Sequence, residues 1–270
     1  MTSGLVTATM TETVGGEFID LTDPELEKIH LHDIAWAISR QSRYAGHTMS
    51  KIPYTVAQHT VMVSRYVEEA LTPDTELYGQ FRRYLEEQFK LALNGRKASE
   101  KTNESCDKWS RALDKHIQFS SEGMDTHRRM YTRHGLMHDY AEYILVDLPT
   151  PVKRLPGVYE AYKKYELIWD AAMYKKFQLG YGPEGLMSGP IKHPEMWEFG
   201  LIVVAWADMY ALLLEAYHFM PSRAKNWNIN IEGPSLSKIY NFRWPVSNEQ
   251  AYLELVARHE ELDSPELIYE

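Results

Sequence analysis

Two adjacent residues, His138 and Asp139, offer an imidazole nitrogen and a carboxylate oxygen side by side. They sit in Leu136-Met137-His138-Asp139-Tyr140-Ala141-Glu142, which carries a helical apolar rhythm and no Pro or Gly after Gly135. Two further residues are placed to complete a metal site. His59 follows Val56-Ala57-Gln58, and Asp208 follows Ala205-Trp206-Ala207. Together they would supply two nitrogens and two oxygens. That donor set suits Zn²⁺, Mn²⁺, Co²⁺ or Fe²⁺ without choosing among them, and its chemistry is metal-assisted hydrolysis.

Helical phase tests whether these side chains point inward. Val56, His59, Val63, Val67 and Ala70 follow spacings of three, four, four and three, so His59 lies on an apolar stripe. Leu201, Val204, Asp208, Leu212 and Glu215 form a similar stripe with a carboxylate inside it. A buried carboxylate needs a metal or a cation beside it. Each residue also has a plainer reading: His59 as a hydrogen-bonded core residue, Asp208 as the partner of an arginine. A second His-Asp pair, His32-Asp33, reads as surface near a helix start.

The elements that must position these residues are mostly helical. Helices are expected at about 31–43, 55–71, 76–93, 105–122, 127–146, 156–178, 195–220 and 248–262, with bounds good to ~2–4 residues. Residues 1–18 read as a flexible leader, 180–190 as a loop, and 221–247 as irregular, with room for a short hairpin. The stretch Phe199 to Ala207 is the most apolar. Asp208 and Glu215 interrupt it, which favours a buried helix over a membrane span.

At 270 residues, with 44% hydrophobic and 25% charged, the chain fits a globular protein with a sizeable core. A net charge of −9 argues against binding nucleic-acid polymers but leaves a nucleotide substrate open. The single cysteine, Cys106, excludes an internal disulfide and a multi-cysteine zinc cluster. With no signal segment evident, a cytoplasmic protein is expected. There is no Gly-rich phosphate loop, no Gly-x-Ser-x-Gly turn and no His-Glu-x-x-His.

The ordered set His59, His138-Asp139, Asp208 resembles the HD-domain metal-dependent phosphohydrolases, most nearly their 5'-deoxynucleotidase branch and its phage-encoded relatives. Three stretches carry the resemblance. The first is Ser39-Arg40-Gln41-Ser42-Arg43-Tyr44-Ala45-Gly46-His47-Thr48 with Tyr54-Thr55-Val56-Ala57-Gln58-His59-Thr60. The second is His138-Asp139-Tyr140-Ala141-Glu142 with Asp147-Leu148-Pro149-Thr150-Pro151-Val152-Lys153. The third is Ala207-Asp208 with Leu212 to Glu215. They span about residues 18–71 and 133–220.

The resemblance implies an all-α HD-domain helical bundle over 19–220, followed by an extension, 221–270, packed on it. It implies one divalent metal ion held by His59, His138, Asp139 and Asp208. Glu142 would be the general acid/base, and Asp147 would stand near the sugar and sense its 2' position. Arg43 would hold the phosphate, Tyr44 would pack on the nucleoside, and Arg40, His47 and Lys153 would be further phosphate contacts. Two features depart from the pattern. The 79-residue interval from His59 to His138 marks 72–131 as an inserted helical segment, and Tyr140 stands where a smaller residue is common.

The activity so implied is removal of the 5'-phosphate from deoxynucleoside monophosphates. Two alternatives stay open: a triphosphohydrolase acting on a substrate such as dATP and releasing tripolyphosphate, and a nucleotide-binding sensor without turnover. The expected partners are a nucleotide substrate and further copies of the chain in a homo-oligomer. No nucleic-acid polymer and no membrane are expected.

Overall fold

A computed structural model describes residues 9–94, 123–179, 194–225, 227 and 229–263. The helix expected at 105–122 and the loop expected at 180–190 lie outside these residues. What is described is mostly helical, with one two-stranded sheet. Two compact units divide the chain: residues 1–61, 136–190 and 244–260 form one, and 62–135, 191–243 and 261–270 the other.

The first unit opens with a hairpin of β1 (Met10–Glu12) and β2 (Phe18–Asp20), in register Thr11 to Ile19. The expected leader is therefore folded from residue 10 onward. Its anchor is Asp33, which is buried and accepts hydrogen bonds from the Thr13 hydroxyl (2.9 Å) and the Gly15 amide (2.8 Å). His32 keeps the surface position read from sequence, but Asp33 does not. Its hydrogen-bonding partners lie 18 to 20 residues upstream, beyond the reach of a local reading.

Helix α1 (Leu31–Ile38) stops five residues short of its expected end. The Ser39 hydroxyl donates to the Trp36 carbonyl, and the chain then pairs with residues 54–56. Arg43 N donates to Tyr54 O at 2.9 Å, and Val56 N to Gln41 O at 3.0 Å. A short 3₁₀ turn at Arg43–Gly46 follows, with Tyr44 and Ala45 both left-handed at φ 57° and 50°. Non-glycine residues pay about 1–2 kcal/mol each for that conformation.

Helix α2 (Val56–Ala70) buries its whole predicted stripe. In the second unit it joins α3 (Glu76–Asn94), α4 (Gly123–Met137) and α8 (Pro194–Phe219). Gly135 of α4 meets α2 where a Cβ would lie 2.9 Å from Val67 and 3.3 Å from the Ser64 Cα. Ser64 Oγ donates to Thr132 O, also on α4, at 3.1 Å. Only a bare backbone allows this approach. The rings of Phe199 and Trp206 on α8 pack against Phe81 of α3.

The stretch Trp197–Phe219 is long and apolar enough to cross a membrane by length and composition, and most of it is buried. Its buried face runs through Phe199, Val203, Trp206, Ala207, Tyr210 and Leu214, whereas Leu201 is 43% exposed. Of the stripe expected through Leu201, Val204, Asp208, Leu212 and Glu215, Val204 and Glu215 are buried, Asp208 and Leu212 are half-buried, and Leu201 faces outward. The described residues of 221–247 hold turns and α9 (Leu236–Tyr240), with no hairpin among them.

The helix expected at 127–146 is broken in two. It ends at Met137, passes through a turn at 138–141 and resumes as α5 (Glu142–Leu145). Tight bonds three residues apart carry the turn: Tyr140 N to Met137 O and Glu142 N to Asp139 O, both 3.0 Å. Helices α6 (Thr150–Lys153), α7 (Val158–Lys176) and α10 (Asn248–Asp263) complete the described α-helices. Tyr140 is fully buried. Its hydroxyl lies 3.2 Å from His259 Nδ1 on α10, and its ring lies edge-on to Phe177.

Candidate metal centre

The first unit brings His59, His138 and Asp139 together. One donor atom from each lies within 4.8 Å of the others, a group that could hold a metal ion. His59 is fully buried on α2, and its Nε2 stands 3.6 Å from Asp139 Oδ2. His138 Nε2 stands 3.2 Å from the same oxygen, and the two imidazole rings tilt at 59° with centroids 5.2 Å apart. The spacing fits a shared ion. Two ligand atoms each about 2.1 Å from a metal are about 3.0 Å apart at a right angle and about 3.4 Å apart at the tetrahedral angle.

Burial opposes ionisation of Asp139. The adjacent His138, followed by His59 and Arg43, outweighs it and holds the carboxyl well below the usual carboxylate range. Arg43 Nη1 is 3.7 Å from Asp139 Oδ2, and its guanidinium lies 5.6 Å from the Tyr44 ring. Glu142 responds in the opposite sense. Burial, then the charges of Asp139 and Asp147, push it well above its ordinary value, against the pull of Arg43 and Lys153. Asp147 is also raised, again chiefly by burial, with Arg43 opposing and Asp139 adding. Asp139 is thus favoured in its ionised form, whereas Glu142 and Asp147 are biased toward their protonated forms.

Lys153 Nζ stands 3.8 Å from Glu142 Oε1 and 3.7 Å from Glu166 Oε1, and 4.7 Å from the Tyr162 ring. Arg43, Tyr44, Glu142, Asp147 and Lys153 therefore all belong to the unit that holds the three donors. His47 is in that unit but exposed. Arg40 is turned to Trp36, with its guanidinium carbon 3.4 Å from the indole centroid and Nη1 donating to the Trp36 carbonyl. Asp208 belongs to the second unit, on α8.

Several residues near the centre escaped the sequence reading. Glu166 and Asp170 on α7 share a face at a spacing of four, and with Tyr162 they form a polar stripe that helical phase could have revealed. Burial first, then Glu166, raises Asp170 to about 7; Asp139 adds to the shift and His138 opposes it. Gln41 is a further omission. No local signal marks it, because its hydrogen bonds reach 101 and 106 positions along the chain. No protein-family model matches the chain, and no curated protein matches it.

Proposed function

We propose that this protein is a divalent-metal phosphohydrolase of the HD type, removing the 5'-phosphate from deoxynucleoside monophosphates. The observation that carries the reading is the convergence of two imidazoles and one carboxylate, with donor atoms within 4.8 Å of one another. The neighbouring residues supply what hydrolysis of a phosphate ester requires: a guanidinium, a lysine, and carboxyl groups of raised proton affinity.

A bound divalent ion would lower the pKa of a water and polarise a phosphate oxygen. His59, His138 and Asp139 would hold it. Arg43 orients the phosphate through its fork of donors. Glu142 takes a proton from the attacking water and returns one to the leaving O5' as the P–O5' bond breaks. Water supplies the new P–O bond, and nucleoside and inorganic phosphate leave. Lys153 holds Glu142, and Asp147 stands on the sugar side.

The test is a nucleotide panel assayed with Mn²⁺, Co²⁺ and Mg²⁺, alongside elemental analysis of the wild type, His59→Ala and Asp139→Ala. Expected are bound metal and inorganic phosphate from dNMPs in the wild type, and loss of both in the variants. Normal metal content in both variants removes the centre. Tripolyphosphate from dATP would move the attack to the α-phosphate, and tight binding without turnover would make the protein a sensor.

A further inference from the structure

Gln41 lies between two segments that both reach the donor group. Its main-chain carbonyl accepts the Val56 amide at 3.0 Å, at the first residue of the helix that carries His59. Its side chain reaches the other way. Nε2 donates to the Glu142 carbonyl at 2.8 Å, and Oε1 accepts the Asp147 amide at 3.2 Å. One planar amide, donor and acceptor at once, thus grips both ends of the segment that bears the two raised carboxyls.

Between those ends stands Val146, at φ 61° and ψ 152°. This is a branched residue in a region used almost only by glycine, and such backbone persists only where its surroundings over-determine it. Two bonds besides those of Gln41 contribute. The Val146 amide donates to Glu142 O at 2.9 Å, and the Val146 carbonyl accepts the Tyr162 hydroxyl at 2.9 Å.

We propose that Gln41 is a positioning residue. It fixes residues 142–147 against the start of α2, so that Glu142 and Asp147 stand beside His59, His138 and Asp139. The hold is mechanical and independent of any activity; its effect on turnover rests on the phosphohydrolase reading above. Methionine at position 41 would keep the volume and lose both hydrogen bonds. Glutamate would keep the acceptor for Asp147 and lose the donor to Glu142.

The experiment compares full-length wild type, Gln41→Met and Gln41→Glu by amide hydrogen exchange, metal content, and dAMP hydrolysis with Mn²⁺. In Gln41→Met the Asp147 amide should exchange roughly 10-fold faster or more, a lost buried hydrogen bond read locally, while α2 keeps its protection. Metal content and KM should hold while kcat falls about 10- to 100-fold, the scale of outer-shell losses. Gln41→Glu should protect the Asp147 amide better than Gln41→Met does. Unchanged exchange over 142–147 in Gln41→Met overturns the proposal, and so does faster exchange with unchanged kcat. If the wild type releases no phosphate, the phosphohydrolase reading fails while the exchange still decides the hold. If Gln41→Met does not fold, Gln41→Glu carries both measurements.

Discussion

Lys153 faces Glu142 across 3.8 Å, and the same ammonium lies 3.7 Å from Glu166. Lys153 thereby joins Arg43 in opposing surroundings that favour the neutral form of Glu142. Lys153→Met removes that charge and keeps most of the stem. Glu142 then retains its proton to higher pH, because Lys153 opposes the rise caused by burial and by Asp139 and Asp147. The limb of the kcat/KM profile that reports Glu142 should move upward in pH. A profile that stays in place assigns the limb to another group.

Arg43 stands 3.7 Å from Asp139 and is almost wholly enclosed. A charged hydrogen bond to phosphate is worth about 1.5–3 kcal/mol, so Arg43→Ala should lower kcat/KM about 10- to 150-fold. Arg43→Lys should recover part of this, since lysine lacks the planar fork. Steady-state kinetics on the best nucleotide, with metal content measured in parallel, checks it. Loss of metal in Arg43→Ala would make this arginine a support for Asp139 instead.

Asp170 gives a pH dependence of definite sign. Its folded value of about 7 lies above the ordinary 3.8, so between those limits the folded chain binds a proton that the unfolded chain has released. Stability therefore falls as pH rises through that window. Asp170→Asn removes the effect. In chelator-treated protein the variant should be the more stable at pH 8, by no more than about 4 kcal/mol, with the gap closing near pH 4. Urea unfolding at the two pH values measures it; an equal gap at both would contradict the assignment.

Gly135→Ala would ordinarily gain about 1 kcal/mol of helix propensity. Here the added Cβ meets Val67 at 2.9 Å and Ser64 at 3.3 Å. Overpacking of this kind costs about 1–3 kcal/mol, so the variant should melt at a lower temperature than the wild type. A rise in Tm would show that the contact between α2 and α4 has room to spare.

The parts legible in the sequence were those set by local period. The stripe of α2 and the adjacent His138-Asp139 pair needed only spacing and residue type, and Val56, His59, Val63 and Val67 are all fully buried. The break after Met137 was hidden because the apolar rhythm runs through it unchanged, while the turn depends on tight local bonds and on Tyr140 being held from elsewhere. The buried face of α8 was hard to choose because the helix is apolar nearly all round, so period alone could not prefer Phe199 over Leu201. Asp33 and Gln41 depend on distant partners, which no local window contains.

The contact between Tyr140 and His259 spans 119 positions of sequence. Synthesis runs from the N-terminus, so His59, His138 and Asp139 all leave the ribosome well before the residue that backs their turn. Closing so long a loop also carries an entropic cost that local turns escape. The three candidate donors are thus made early and braced late, and a growing chain passes through a stage with the donors in hand and the brace still to come.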